Sequence, residues 1–123
     1  MKIFRVVLPT DNIERATQFY AELLGFDGIR VSLGRHYFDC EGVILACFDP
    51  HADGDNFVPV PNLDHIYVST SDLENTHERA KKLDYREISE IETQPWGERS
   101  FYLKDFFGNQ LCFVDSTTLF TGG

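Results

Sequence analysis

The 123-residue sequence has no long apolar run, and this absence limits what the chain can be. No apolar stretch approaches the length of about 20 residues that a helix needs to span a bilayer. The N-terminal MKIFRVVLP lacks the apolar core and small-residue cleavage site of a secretory signal and is typical of a first strand. We therefore expect a cytoplasmic protein that does not act in a membrane.

Basic residues and cysteines are also scarce. With 11 Lys and Arg against 20 Asp and Glu, the net charge is −9, whereas nucleic-acid binding requires a basic patch. The charge indicates a solvated acidic surface and favours encounter with cationic ligands. The three cysteines are an odd number and are expected as reduced thiols. Cys40 and Cys47 flank a predicted turn without facing each other, so we expect no disulfide.

The sequence does contain a repeat. FRVVLPTDNIERATQFYAELLGF near the N-terminus and DHIYVSTSDLENTHERAKKLDY further on each combine a short β-branched run with an amphipathic helix. Capping boxes at Asp11 with Glu14 and at Ser71 with Glu74 predict the two helix starts, 60 positions apart, and Gly25 predicts the end of the first helix. The predicted apolar stripes are Ile13, Ala16, Phe19, Tyr20, Leu23 and Leu24 in the first helix and Leu73, Thr76, Ala80 and Leu83 in the second. Strand-like runs follow each helix, and the last hairpin of each copy contains a turn glycine, Gly42 or Gly108.

The repeat predicts the organisation of the chain. We expect one domain over residues 1–123, with a first βαβββ module at 1–50, a Pro- and Gly-rich linker at 51–61, a second module at 62–116 and a tail at 117–123. The 17 aromatic residues and 42% hydrophobic content are sufficient for a packed core. His51, Asp53 and Asp55 in the linker have no rigid geometry that would hold a metal ion.

Two such modules resemble the glyoxalase I, extradiol dioxygenase and bleomycin-resistance superfamily, the vicinal oxygen chelate proteins. The resemblance rests on DNIERATQFYAELLGF, on DHIYVSTSDLE and on FYLKDFFGNQLCFVD, and extends from about Met1 to Asp115. It implies an α+β fold in which two βαβββ modules form a curved mixed sheet with a cleft, and it implies a homodimer. The fold hosts several chemistries, so it does not identify the reaction.

Metal-dependent members of that superfamily are expected to hold one divalent ion with side chains from the first and last strands of each module. Transferred onto this sequence, the four positions hold Arg5, Ala46, His65 and Cys112. Arginine has no lone pair for a metal and alanine has no ligand atom, so only His65 and Cys112 could coordinate one. We therefore expect no metal cofactor. Cys112 beside Arg5 could alternatively be an activated thiolate, although a buried cysteine is more often a small apolar residue.

The run QPWGERSFYLKDFFGNQLCFV resembles the bleomycin-resistance branch, which binds its drug without catalysis. Trp96 there is either a stacking wall for a flat or cationic ligand or a turn residue that caps the core. Alternation along the strands predicts the other lining residues, with Tyr37 opposite Ala46 and Leu103 opposite Cys112, while Leu45, Leu111, Phe113 and Phe38 pack under the helices. The predicted ligand-binding residues are Arg5, Val7, Arg35, Tyr37, Phe48, His65, Tyr67, Trp96, Phe101, Leu103, Gln110 and Cys112.

Three functions remain as hypotheses. The first is a metal-free, bleomycin-resistance-like protein that binds a small aromatic or drug-like molecule, with a role in antibiotic resistance. The second is a metal-dependent lyase, isomerase or dioxygenase of the glyoxalase type, in which His65, together with Cys112 or with recruited groups such as His36 or Glu41, holds one divalent ion. The third is an interaction module whose own side chains fill the cleft. The two arginines make an anionic or oxygen-rich aromatic ligand compatible with the first hypothesis.

Overall fold

The computed structural model describes residues 1–83 and 87–122. Its internal contacts divide the chain into two units, Met1–Asn62 and Leu63–Gly123. Each unit has one helix packed on one mixed sheet, of four strands in the first unit and five in the second. The α+β class with two modules is therefore confirmed.

The first unit consists of four strands and one helix in the order βαβββ, and its sheet has the strand order β1-β4-β3-β2. β1 pairs in parallel with β4, and the other pairs are antiparallel. Cys40 pairs with Val43, so Glu41 and Gly42 form a two-residue turn with φ of 53° and 95°. The elements are β1 (Arg5–Pro9), α1 (Ile13–Leu24), β2 (Ile29–Ser32), β3 (Arg35–Cys40) and β4 (Val43–Phe48).

The N-cap of helix α1 lies one residue after the predicted cap. Asn12 is the N-cap, and its side chain accepts a hydrogen bond from the Arg15 backbone N–H at 3.1 Å. The predicted cap at Asp11 is therefore wrong. The predicted stop at Gly25 is confirmed, since this residue adopts a left-handed conformation with φ of 86° and donates its N–H to the Ala21 carbonyl. The buried face of the helix consists of Ile13, Ala16, Phe19, Tyr20 and Leu23.

The predicted linker lies against the first unit. The Asp53 carboxylate accepts hydrogen bonds from the Ser32 hydroxyl at 2.8 Å and from the Gly34 N–H at 2.6 Å. Phe57 contacts Phe48 with ring centroids 5.9 Å apart. The contacts of residues 51–62 therefore assign this segment to the first unit, and they give Asp53 a structural role in the β2–β3 turn.

The second unit repeats this arrangement with the strand order β5-β9-β8-β6, and β7 also pairs with β8. The sequence after the second helix predicts one strand near Arg86–Ile91. The structure instead has two short strands separated by residues 89–91, and Arg86 lies outside the described residues. The elements are β5 (Ile66–Thr70), α2 (Leu73–Lys81), β6 (Glu87–Ile88), β7 (Glu92–Thr93), β8 (Arg99–Lys104) and β9 (Gln110–Asp115), followed by a 3₁₀ turn at Ser116–Thr118.

The N-cap of helix α2 also lies one residue after the predicted cap. Asp72 is the N-cap and accepts from the Asn75 backbone N–H at 3.0 Å, so the prediction of Ser71 is wrong. The predicted apolar stripe is confirmed, because Leu73, Thr76, Ala80 and Leu83 are all buried, together with His77. Neither helix of the described residues has the length and apolar character needed to cross a membrane.

The second hairpin contradicts one register prediction. Lys104 pairs with Gln110, so five residues connect β8 and β9, and Cys112 pairs with Tyr102 instead of Leu103. The buried Asp105 carboxylate holds this loop by accepting from the backbone N–H groups of Phe107, Gly108 and Asn109 at 2.8–2.9 Å. Since strand side chains alternate between faces, a shift of one residue moves each β8 side chain to the other face.

Candidate functional site

Each sheet has one face under its helix and an opposite face, here called the open face. In the first unit the helix face carries the buried Leu8, Phe38, Leu45 and Cys47. The pairing register then places five predicted ligand-binding residues on the open face, as the alternation required: Arg5, Val7, Arg35, Tyr37 and Phe48.

Two arginines on this open face converge on one phenol. Nη1 of Arg5 donates to the Tyr37 hydroxyl at 3.0 Å, and Nη1 of Arg35 donates to the same oxygen at 3.2 Å. The Arg5 guanidinium also lies 5.6 Å from the Tyr37 ring centroid, and that of Arg35 lies 4.1 Å from the Phe48 ring. Such stacking holds the guanidinium groups in place while leaving N–H donors at their edges.

A surface pocket of about 600 Å³ shares Tyr37 with this arginine pair. The rest of its lining combines apolar side chains with Asp27 and Asp39. The pocket is lined by Phe26, Asp27, Gly28, Ile29, Val31, Tyr37, Asp39 and Ile44.

The open face of the second unit has different chemistry. Tyr67, Cys112 and Tyr102 form one row across β5, β9 and β8. The His65 ring lies 4.9 Å from the Tyr102 ring in an edge-on arrangement and 6.3 Å from Tyr67. Burial raises the pKa of the Cys112 thiol, outweighing its hydrogen bonds with Ser100 and Tyr102, so the neutral thiol is favoured. Cys112 is therefore a poor candidate for an activated thiolate. Gln110 borders a second pocket of about 390 Å³ with His65.

Trp96 lies beside Tyr67 at a pocket of about 510 Å³ in the second unit. The indole Nε1–H donates to Glu98 at 2.8 Å, and the other Glu98 oxygen accepts from the Phe120 backbone N–H at 2.9 Å. These two bonds, that of Phe120 foremost, lower the pKa of Glu98. Trp96 is 48% exposed and Tyr67 is 60% exposed, so both rings are available to a ligand. The lining residues are Tyr67, Val68, Ser69, Trp96, Glu98, Val114, Leu119 and Phe120.

Two predicted ligand-binding residues belong to the core instead. Phe101 is fully buried, with its ring stacked 5.3 Å from Phe113 and 4.7 Å from His77 of α2, and Leu103 is 2% exposed opposite Leu111. The prediction that they face the same side as Cys112 is therefore wrong, and it missed Tyr102. The alternation of apolar and polar residues in RSFYLK was the signal that could have corrected it.

The residues at the four superfamily positions do not fit a divalent metal ion. In the first unit Arg5 offers only donors and Ala46 is fully buried with no ligand atom. In the second unit His65 and Cys112 provide at most two ligand atoms, fewer than the three or four protein ligands of a zinc-type site. Residues 1–83 and 87–122 contain no group of three His, Cys, Asp or Glu side chains arranged to hold a metal.

One recruited ligand suggested by the sequence is also unsuitable. His36 is buried on the helix face of the first sheet, 5.1 Å from the Phe38 ring. Its Nδ1 accepts from Nε of Arg30 at 3.3 Å, so its Nε2–H donates to the Asp27 carbonyl at 2.7 Å. Both ring nitrogens are therefore used within the unit, and the histidine ties the sheet to the loop after α1.

These features define a protein of two repeated βαβ-type modules with chemically distinct open faces. Residues 2–113 match the sequence profile of the Glyoxalase/Bleomycin resistance protein/Dioxygenase superfamily, and the chain belongs to that superfamily. No protein with a curated description matches it in sequence.

Solved structures with the same fold include proteins of different function. A lactoylglutathione lyase from Agrobacterium tumefaciens is 21% identical, with a TM-score of 0.69 and coverage of 92% of both chains. A bleomycin-binding protein complexed with bleomycin is 20% identical, with a TM-score of 0.68 and coverage of 94% of this chain and 98% of the other. TioX from Micromonospora sp. ML1 is 18% identical, with a TM-score of 0.69 and coverage of 93% and 98%. At these identities the similarity establishes the fold alone.

Proposed function

We propose that this chain binds a small aromatic or drug-like molecule without a metal cofactor, as a bleomycin-resistance-like member of its superfamily. The observation that carries the proposal is the pocket of about 510 Å³ in the second unit, where the half-exposed rings of Tyr67 and Trp96 stand beside Glu98. Concave sites with aromatic walls and a few polar groups are typical of small-molecule binding.

The polar groups of this pocket suit recognition more than catalysis. Glu98 is held by the Trp96 indole and the Phe120 backbone, so its two oxygens fix the aromatic wall and the C-terminal segment in one arrangement. A wall held in this way loses little conformational entropy when a ligand stacks on it. The low pKa of Glu98 keeps a negative charge beside the wall, which also supports binding of a flat ligand with a cationic group.

The donor set supports the metal-free part of the proposal. A metal-dependent lyase, isomerase or dioxygenase needs several lone-pair donors around one ion. At the four superfamily positions the chain has a guanidinium, a methyl group, an imidazole and a thiol, of which only the last two have a lone pair for a metal. These groups favour binding over metal-dependent catalysis.

The test uses Trp96, which is the only tryptophan of the chain, as an intrinsic reporter. Purified protein is titrated with bleomycin and with flat aromatic compounds, and binding is followed by tryptophan fluorescence and calorimetry. Zn²⁺, Ni²⁺ and Fe²⁺ are titrated separately. We expect saturable fluorescence changes with at least one aromatic compound. Micromolar metal affinity combined with no aromatic binding would overturn the proposal and favour the metal-dependent enzyme.

Two variants locate the binding. Tyr67→Ala removes one aromatic side of the pocket and is expected to weaken binding about tenfold, since stacking on an exposed ring contributes on the order of 1 kcal/mol. Leu33→Ala, which truncates an exposed apolar side chain in the β2–β3 turn, is the matched control and should bind as the parent does. Equal affinity of both variants would show that the pocket of Tyr67 and Trp96 is not the site.

We also propose that the chain forms a homodimer, as the superfamily resemblance implies. Exposed apolar side chains such as Ile3, Val60 and Leu63 provide surface that a second copy could cover. Sedimentation velocity at micromolar concentration measures the mass directly, and a 14.1 kDa species alone would contradict the dimer.

A further inference from the structure

The open face of the first unit holds an arrangement that the pocket around Trp96 does not explain. Arg5 on β1 and Arg35 on β3 both donate to the hydroxyl of Tyr37, at 3.0 and 3.2 Å. The residues come from strands that are not neighbours, since β4 lies between them. Two positive groups have therefore been brought together on one oxygen, in a chain whose net charge is −9.

The hydrogen-bond capacity of the phenol makes this arrangement a convergent set of donors. A tyrosine hydroxyl has one O–H donor and lone pairs that accept hydrogen bonds. In this structure the two arginines use its acceptor capacity, so the Tyr37 O–H must point to a third group. That O–H and the remaining N–H groups of Arg5 and Arg35 are all donors. An oxygen-bearing anion is the group that such a set recognises best.

The two arginines differ in their acidic neighbours. Asp53 forms an ion pair with Arg35 at 3.9 Å from Nε, while its oxygens also accept hydrogen bonds from Ser32 and Gly34. Asp39, on the same face, accepts from the Gly42 N–H at 2.7 Å. Arg5 forms no ion pair with any acidic side chain of residues 1–83 and 87–122. A positive charge is therefore left exposed at Arg5.

Apolar surface adjoins the donors. Tyr37 also lines the pocket of about 600 Å³, whose side chains include Ile29, Val31 and Ile44. A ligand with an apolar body and a terminal anionic group would place the body in this pocket and the anion at the arginines. An inorganic anion would leave the pocket unused.

We propose that the open face of the first unit binds a hydrophobic carboxylate through Arg5, Arg35 and the Tyr37 hydroxyl. The inference goes beyond the proposed function, because it adds a small-molecule site on the first unit, whereas the pocket of Trp96 lies in the second unit. The two sites also differ in charge preference, since the arginine site requires an anion and the pocket of Trp96 and Glu98 favours a cation.

The test compares three compounds of nearly equal shape and different charge: 2-naphthoate, neutral 2-naphthamide and cationic 2-naphthylmethylamine. Binding is measured by calorimetry at 50 and 300 mM salt, and the arginine side-chain resonances are followed by NMR. We expect 2-naphthoate to bind about tenfold more tightly than 2-naphthamide, because charge-assisted hydrogen bonds replace neutral ones. The preference should fall at high salt, where exposed charges are screened.

Matched variants assign the effect to the site. Arg5→Gln and Arg35→Gln should each remove most of the preference for 2-naphthoate while leaving 2-naphthamide affinity within about twofold. Tyr37→Phe should reduce the preference to a smaller extent, since it removes one donor and the shared acceptor. Arg15→Gln makes the same charge change on the exposed face of α1 and should keep the full preference. Unchanged urea denaturation of each variant shows that the fold is intact.

Each outcome separates this inference from the proposed function. Equal affinity for the three compounds, or a preference that survives Arg5→Gln and Arg35→Gln, overturns the carboxylate site and leaves small-molecule binding in place. If bleomycin binds and none of the three naphthyl compounds does, the carboxylate site is likewise overturned and small-molecule binding stays in place. Failure of every compound, bleomycin included, overturns both proposals.

Discussion

The two open faces have the same geometry and different chemistry. In the first unit one row across three strands consists of Val7, Ala46 and Tyr37. The equivalent row in the second unit consists of Tyr67, Cys112 and Tyr102. Only the tyrosine on the third strand is shared. It accepts hydrogen bonds from two arginines in the first unit, whereas in the second it contacts an imidazole and a thiol.

The helix faces, in contrast, have remained alike. Equivalent positions hold Leu45 and Leu111 in the last strands, and Ile13 and Leu73 at the helix starts, all buried. Each helix is also tied to its sheet by an ion pair from its first turn, Glu14 with Arg30 in the first unit and Glu74 with Arg99 in the second. The comparison shows that packing under the helix preserves the scaffold and leaves the open face free to change.

The largest expected effect tests which face of β8 is the core. Phe101→Ala should lower the free energy of unfolding by about 4 kcal/mol, because a fully buried ring leaves a cavity. Tyr102→Ala, on the open face, should cost about 1 kcal/mol. Urea denaturation measures both. If Tyr102→Ala were the more destabilising change, the register of the second hairpin would be wrong.

The two hairpin turns differ in how they are held. Asp105→Ala should cost about 3 kcal/mol, because a buried carboxylate that accepts three backbone N–H groups and the Asn109 side chain is removed. Asp39→Ala in the first hairpin removes one exposed hydrogen bond to Gly42 and should cost about 1 kcal/mol. Thermal and urea unfolding of the two variants provide the comparison, and equal losses would refute it.

Cys112→Ala gives the second open face the same residue that the first open face has at the equivalent position, Ala46. The raised pKa of the thiol stabilises the fold below the thiol pKa of the unfolded chain, about 8.5, and this contribution is lost as pH rises towards the folded value. We expect the parent to lose stability between pH 8 and 10 more steeply than the variant. Urea denaturation across this range measures the difference, and parallel profiles would contradict the burial of the thiol.

The smallest effect concerns Glu98, which has no counterpart bonded to an indole in the first unit. Its pKa is lowered by the Phe120 N–H and the Trp96 indole, so its contribution is present above the unfolded value of about 4.3 and is lost as pH falls through the folded value. Tryptophan emission should therefore change in acid below that value. Glu98→Gln should abolish this transition, and a transition that persists would assign it to another carboxyl group.

Much of the fold was predictable because local patterns specify it. The spacing of Ile13, Ala16 and Leu23 predicted the buried face of α1, and the Glu41–Gly42 pair predicted a two-residue turn. The helix caps were displaced by one residue, because Asn12 and Asp72 cap as well as the residues before them. The positions of Arg5, Arg35 and Tyr37 on one face followed from strand alternation and the correct register of the first hairpin.

The sequence by itself determined the duplication, the two helices, the strand set of the first unit and the residues at the four superfamily positions. The tertiary structure decided which side chains of β8 lie on the open face, since this depends on a five-residue loop held by Asp105. It also decided that Arg5 and Arg35 share one phenol oxygen. Alternation assigns residues to a face. Arg5 and Tyr37, however, are 32 residues apart in sequence, and only the pairing of their strands with β4 brings them into contact.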